Sequence, residues 1–479
     1  VALTENATAI VLTGRQPTAR SWTVVVLFVS APVLVVLFST LWRTPFPLSE
    51  AVANFEDVAK APPSSFLVPD KSYYRPLYQL SLMAIWRTAR SVETRLAGIR
   101  LLHMVPLACL VVLFIWHTRP RTGLDAAMAA IAVAVLVGSP GFRDNMELPL
   151  AYTAVGMPLA LAVWVLLNND PRSWHAPAII AMFLVAVGFK EQGLVIVPLA
   201  AVAWWMGAPG ASRRLVLTLV ALTLAYVVIR LHWRARWPLF EQSVGLGFGV
   251  LDPSKVDASF GFPYWVFAYS SASTVANVLF SEPTRGTFVI TNDIVNGKVQ
   301  TWEVIQLASS AMMTAAIVCW GVSCVRRDAQ NWSIESRTFV ALLAMLAACG
   351  VLSFDYSRDR LGGMALVFYA SAAYLALRAL AERAAQLNGV RFASVGLLLV
   401  SLAAMWQVRA IGTTEQARRT SWRNQTEWLT DVPKRRIDFA DRPTYLQIMQ
   451  SMIPQGIRPG APEESRYPEW VARTLLPPP

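Results

Sequence analysis

Residues 173–212 read SWHAPAIIAMFLVAVGFKEQGLVIVPLAAVAWWMGAPGAS, about forty positions interrupted by a single charged pair, Lys190-Glu191. A helix crossing a bilayer needs about 20 largely apolar residues, so this stretch predicts two helices joined by a short polar junction. A plain turn would use Ser, Gly or Asn at that junction. Inserting Lys and Glu instead points either to a water-filled cavity that accepts an anion or to a simple hairpin turn.

The rest of the chain follows the same pattern. Further charge-free runs cover Ser21–Trp42, Leu101–Thr118, Ala126–Phe142, Leu148–Asn169, Leu215–Ile229, Val304–Val325, Thr338–Phe354, Leu361–Leu377 and Phe392–Val408. With Ser173–Phe189 and Gln192–Ser212 they make eleven, and the expected fold is an all-α polytopic membrane bundle of about 11 transmembrane helices. The first run is too long for a signal-peptide core and lacks a small-residue cleavage site, which predicts an uncleaved anchor. Across 479 residues, 55% are hydrophobic and only 15% charged, against about 25% charged in soluble domains. A soluble enzyme, a secreted disulfide scaffold and a disordered chain are thereby excluded.

The net charge of +12 does not indicate nucleic acid, because no Lys/Arg run alternates with aromatics. It indicates sidedness. The short junctions containing Arg15, Arg20, Arg119, Arg121, Arg172, Arg213, Arg214, Arg326, Arg327, Arg337, Arg378, Arg383 and Arg391 alternate with junctions holding few cations. The positive-inside bias then predicts a cytoplasmic N-terminus (1–21), a transmembrane domain (22–409) with outer loops 43–96 and 232–302, and an extracytoplasmic tail (410–479). The membrane expected is the plasma (bacterial inner) membrane. Tyr73–Trp86 is read as a helix along the outer interface, and Ala258–Ser281, rich in Ser and Gly, as interfacial or re-entrant. Cys109, Cys319, Cys324 and Cys349 sit in apolar runs without metal spacing and are read as small packing residues.

A charge at mid-bilayer costs on the order of 3 kcal/mol and usually marks a transport pathway. No run has one near its centre, so the chemistry is expected at the outer helix ends, where five clusters stand out. Glu50, Asn54 and Asp57 share one face at i, i+4, i+7, with Glu56 beside it. Carboxylates just above a membrane suit a general base, and a solvated amphipathic helix explains them as well. Lys71, Tyr74 and Arg75 precede Pro76, either as phosphate ligands or as interface anchors. Arg143, Asp144 and Glu147 lie in a polar turn, read as a capped helix start or an ion pair orienting Arg143. Lys190 is paired with Glu191, and Arg358 and Arg360 flank Asp359. His103 and His232 are read as interface residues, and no junction has a full ligand set for a metal.

Tyr74-Arg75-Pro76-Leu77, Lys190-Glu191-Gln192-Gly193 and Tyr356-Ser357-Arg358-Asp359-Arg360, in this order over about 21–380, resemble the GT-C superfamily of membrane glycosyltransferases. They are most similar to bacterial relatives of the transmembrane TPR-type O-mannosyltransferases. In place of the adjacent Asp-Asp pair common there, this chain has Glu56-Asp57, and its tail is too short for an array of 34-residue repeats. The resemblance implies transfer of a sugar from a polyprenyl-phosphate-linked donor to a hydroxyl of a glycan, lipid or protein acceptor, without a cofactor. It implies a first-loop base (Asp57 first, then Glu56 and Glu50) and donor-phosphate binding by Lys71, Arg75, Lys190, Arg358 and Arg360. Tyr74, Arg143, Asp144 and Glu191 support them. A transporter or flippase of lipid-linked sugars, and a non-catalytic scaffold, are the competing readings.

Overall fold

In the computed structural model the described residues are 55–56, 58–67, 74–118, 120, 122–147, 151–234, 264–282, 289–328, 331–354 and 357–431, with Val35, Ser39 and Trp42. Glu50, Asp57 and Lys71 lie outside them, as do nearly all of the first apolar run, residues 235–263 and 432–479. Among the described residues the chain is helical throughout, with no strand. In chain order the helices are α1 (Pro76–Thr88), α2 (Val92–Thr118), α3 (Gly123–Val137), α4 (Pro140–Glu147), α5 (Ala151–Ala154), α6 (Gly156–Asn168), α7 (His175–Phe189) and α8 (Ile196–Trp205). There follow α9 (Arg213–Arg234), α10 (Tyr264–Phe280), α11 (Val289–Val295), α12 (Thr301–Arg327), α13 (Ile334–Leu352), α14 (Gly363–Ala384) and α15 (Gly389–Asp431).

Among the described residues five segments are long and apolar enough to cross a bilayer: Glu93–Thr118, Thr301–Arg327, Ile334–Leu352, Asp359–Ala384 and Gly389–Trp422. The pair α3 and α4 would make a sixth, bent by 64°. The chain is therefore an α-helical polytopic membrane protein. Three of the apolar runs form shorter helices, and the physical reason lies in the prolines. α6, α7 and α8 each carry one in their first turn, Pro158, Pro177 and Pro198, where its missing N–H costs nothing. The helices begin there and are 13, 15 and 10 residues long. At 1.5 Å per residue such helices span roughly 15–23 Å, short of the ~30 Å hydrocarbon core.

α14 forms the centre, packed by α3, α6, α12, α13 and α15. Trp164 of α6 sets its ring edge-on to Phe368 of α14, centroids 5.7 Å apart. The caps are legible in the sequence: Thr122 and Asp125 form a capping box on α3, and Ser333 caps α13. α3 stops at Gly138 and α4 restarts at Pro140, which makes the bend.

Short junctions sort the helix ends into two sets. One end of the bundle gathers Arg172, Arg213, Arg214, Arg326, Arg327, Arg337, Arg378, Arg383 and Arg391. Arg378 meets Asp125 at 3.4 Å and Arg337 donates to the Gly207 carbonyl at 3.1 Å, tying those junctions together. The other end gathers the Arg75, Asp144, Lys190 and Arg360 junctions.

α10, in the stretch read as interfacial or re-entrant, packs among α12, α13 and α14, with Ser270, Ser273, Thr274 and Asn277 buried. Its polar residues face protein, which is why it reads poorly as a lipid-facing span. The Arg143–Glu147 turn is helical and belongs to α4, so Asp144 does not cap a helix start. The last apolar run, taken to end at Val408, continues as helix to Asp431. Of the cysteines, Cys324 and Cys349 are buried while Cys109 and Cys319 are exposed.

Candidate functional site

The site lies where three separate stretches meet. Arg75 caps α1 and Pro76 supplies its first residue. Leu77, the second residue of α1, packs against α7 at Gly188, where an added Cβ would lie 2.6 Å from its Cδ1. That contact brings Arg75 beside the end of α7, and its Nη2 stands 3.6 Å from Glu191 Oε1. After Lys190 the chain tightens into a 3-10 turn, Glu191–Val195. Gly193 is required there, since a Cβ would sit 2.4 Å from the backbone nitrogen of Val187. The turn thus folds back onto the last turn of α7 and leaves Lys190 at the corner, buried.

The third stretch is the 3-10 turn Asp359–Gly362 that opens α14. Gln192 donates to the Leu361 carbonyl at 3.1 Å, joining the two turns. Arg360 donates from its backbone N–H (3.1 Å) and from Nη1 (3.3 Å) to Asp144 Oδ2. Lys190 lies within electrostatic reach of Arg75, Arg360, Glu191 and Asp144. Burial, then the neighbouring Arg75 and Arg360, push its ammonium well below the usual lysine range. Three cations and two carboxylates therefore share a confined polar corner, which suits an anion.

Behind it stands a second network. Arg143 donates through Nη2 to Asp359 Oδ2 and through Nη1 to Gln416 Oε1, both at 2.7 Å. Asn277 donates to Asp359 Oδ1 at 3.3 Å and to the Glu282 carbonyl at 2.8 Å. Arg143 and Asp144, adjacent on α4, thus hold adjacent residues of the facing turn.

The expected residues fall as follows. Arg75, Lys190, Glu191, Asp144 and Arg360 are brought together. Arg143 lies behind them, partnered by Asp359 rather than by Asp144. Glu191 stands 3.6 Å from Arg75 and also acts electrostatically on its neighbour Lys190. Arg358 precedes the turn and accepts at its carbonyl from Leu361 N–H (2.9 Å). Tyr74 donates to the Leu67 carbonyl at 3.2 Å and packs against Tyr226, and burial raises its phenol. Glu56 is buried and bonded to Lys60 at 2.7 Å. Its neighbour Phe55 packs on Trp86, near the far end of α1 and roughly 16 Å along it from Arg75. Asp57, Glu50 and Lys71 lie outside the described residues. Among the described residues no group of three or more His, Cys, Asp or Glu could hold a metal ion.

One charge was missed. Arg409 lies inside the candidate span Gly389–Trp422 and is buried, one residue past the apolar run taken to end at Val408. Five neutral oxygens solvate its guanidinium. The signal was the stripe Leu402, Trp406, Arg409, Thr413 and Ala417, all buried at helical spacing through the charge.

No family model matches the chain, and no curated protein or solved structure matches it.

Proposed function

We propose that this chain is a GT-C-type membrane glycosyltransferase that moves a sugar from a polyprenyl-phosphate-linked donor to an acceptor hydroxyl at the outer membrane face. The observation that carries the reading is the meeting of Arg75, Lys190 and Arg360 at one end of the helix bundle. Each comes from one of the three motifs that resemble the family. On this reading the short apolar helices complete a set of about eleven membrane segments, and the arginine-rich opposite end faces the cytoplasm.

In the proposed reaction the cations hold the donor phosphate. A first-loop carboxylate, Asp57 first with Glu56 and Glu50 behind it, takes the proton of the acceptor hydroxyl. The oxygen attacks the anomeric carbon, and the bond to phosphate breaks with its electrons left on the lipid phosphate. Arg75, Lys190 and Arg360 stabilise the charge that develops there. Asp144 and Glu191 hold the two arginines in place.

The test is mass spectrometry of lipids retained by the gently purified protein. Polyprenyl phosphate is expected on the wild type and lost from Arg75→Ala and Arg360→Ala. Ordinary phospholipid alone, the same in all three, would sink the phosphate assignment and favour a transporter or a scaffold. Asp57→Asn is expected to keep the lipid and lose transfer.

A further inference from the structure

Arg409 is a buried guanidinium with no acidic partner among the described residues. Removing such a charge from water costs several kcal/mol unless its hydrogen bonds are made, and here three different parts of the chain supply them to both terminal nitrogens, while Nε is buried with no partner among the described residues. Nη1 donates to Ser309 Oγ (2.8 Å), Ser310 Oγ (2.7 Å) and the Gln306 carbonyl (3.3 Å), all on α12. Nη2 donates to the Gly138 carbonyl (3.2 Å) and to Ser281 Oγ. The guanidinium also stacks 3.7 Å above the Trp406 ring.

Two of those partners sit at unusual backbone. Gly138 is the break between α3 and α4, where the chain turns by 64°. Ser281 follows α10 with φ of 55°, the one non-glycine residue at positive φ among the described residues. Its hydroxyl is shared with Ser310 at 2.7 Å. Two turns along the same face of α15, Gln416 accepts from Arg143. α15 therefore grips α4 twice, at its root through Arg409 and at its middle through Gln416. α4 in turn carries Asp144, which holds Arg360.

We infer that Arg409 is a positioning residue that fixes the angle of α4 and thereby the placing of Asp144 and Arg360. Only the last step, from that placing to phosphate binding, rests on the proposed function. A lysine keeps the charge but cannot span three elements as a planar fork does, so Arg409→Lys and Arg409→Gln are both informative.

The experiment uses the full chain in detergent and combines hydrogen exchange with binding of farnesyl phosphate. In Arg409→Gln, exchange is expected to quicken at 140–147 and 359–362 and to stay unchanged at the Gly207–Arg337 junction. Affinity for farnesyl phosphate is expected to fall about tenfold, and less in Arg409→Lys. The double variant with Arg360→Ala should bind no more weakly than Arg360→Ala alone, because effects routed through one group do not add. A general loss of stability would add instead. Should Arg409→Gln fail to fold, Ser281→Gly removes one acceptor while easing the positive φ, and the same segments should loosen to a smaller degree. Unchanged exchange at 140–147 and 359–362 in a folded variant overturns the positioning role, and additive losses overturn its route through Arg360. Faster exchange in a protein whose wild type binds no farnesyl phosphate upholds the positioning and removes the phosphate reading.

Discussion

The two ends of the bundle use arginine in opposite ways. At the arginine-rich end the ion pairs are mostly local and wet. Arg327, with 65% of its side chain exposed, meets the next residue, Asp328, and Arg378 meets Glu382 one turn away. Among the described residues there, Arg337 and the Arg378–Asp125 contact are the arginine contacts that reach across elements. At the other end, beside the local buried Glu415–Arg418 pair of α15, the pairs that join elements are remote in sequence and dry. Arg143 and Asp359, 3% and 1% exposed, join α4 to the turn before α14, and Arg360 with Asp144 repeats the link one residue on. Exposed pairs contribute little, whereas a buried pair that loses one partner leaves a charge with no solvent. The first end presents its charge at the surface, while the second holds a fixed arrangement of charge.

That contrast is open to measurement, and its largest expected effect is at Asp359. Asp359→Ala should cost about 3–5 kcal/mol in reversible unfolding in mixed micelles, because Arg143 is left buried without its carboxylate. A loss near that at the wet end would erase the distinction. Next in size is Gly193→Ala, whose Cβ must displace the backbone of α7. A loss of about 2–3 kcal/mol is expected, with faster exchange at the Lys190 corner and none at the opposite end.

The pH dependence of Lys190 sharpens the comparison further. Burial lowers its value in the fold below the ~10.4 of an unfolded chain. Between the two values the unfolded chain binds the extra proton, so the ligand-free protein gains stability as pH rises through that window. An anion favours the ammonium, so on the proposed function binding takes up a proton and weakens as pH rises. As pH rises above the folded, ligand-free value of Lys190, in the range where a phosphate monoester has already lost its second proton, farnesyl phosphate affinity should fall by up to about tenfold per pH unit. Lys190→Gln should flatten that slope, and a slope unchanged by the substitution would separate Lys190 from the anion. The smallest effect belongs to Arg327→Ala, under about 1 kcal/mol. Its partner Asp328, held below the usual carboxylate range by Arg327, Ser333 and Ser336, contributes stability above pH ~4 that is lost as pH falls through its folded value. Exchange at 328–337 on acidification checks this.

Much of the site was legible because the motif residues are local signals. Pro76 marks a helix start, and Gly193 marks a turn that presses on backbone. The charged pair at 190–191 interrupts an apolar run for which lipid alone offers no reason. Partner choice was not legible. Nothing near Arg143 in sequence separates Asp144 from Asp359 as its acceptor, because that choice depends on how α4 crosses the start of α14. Arg409 was missed for a different reason. Ending an apolar run at its first charge assumes that charge meets lipid, while here it meets serine hydroxyls and carbonyls from other helices. The shortness of α6, α7 and α8 was not legible either, because a count of apolar residues passes over the prolines in their first turns.

The bond from the backbone N–H of residue 360 to Asp144 has a consequence for how such a chain could drift. Any residue at 360 other than proline keeps that N–H, so the carboxylate at 144 remains in use even when the arginine is exchanged. The reverse does not hold, since losing the acid strands both a side chain and a piece of main chain. Position 360 is therefore free to explore other side chains, and with them other ligands, over a fixed anchor at 144. Retuning of this corner should begin on the α14 side.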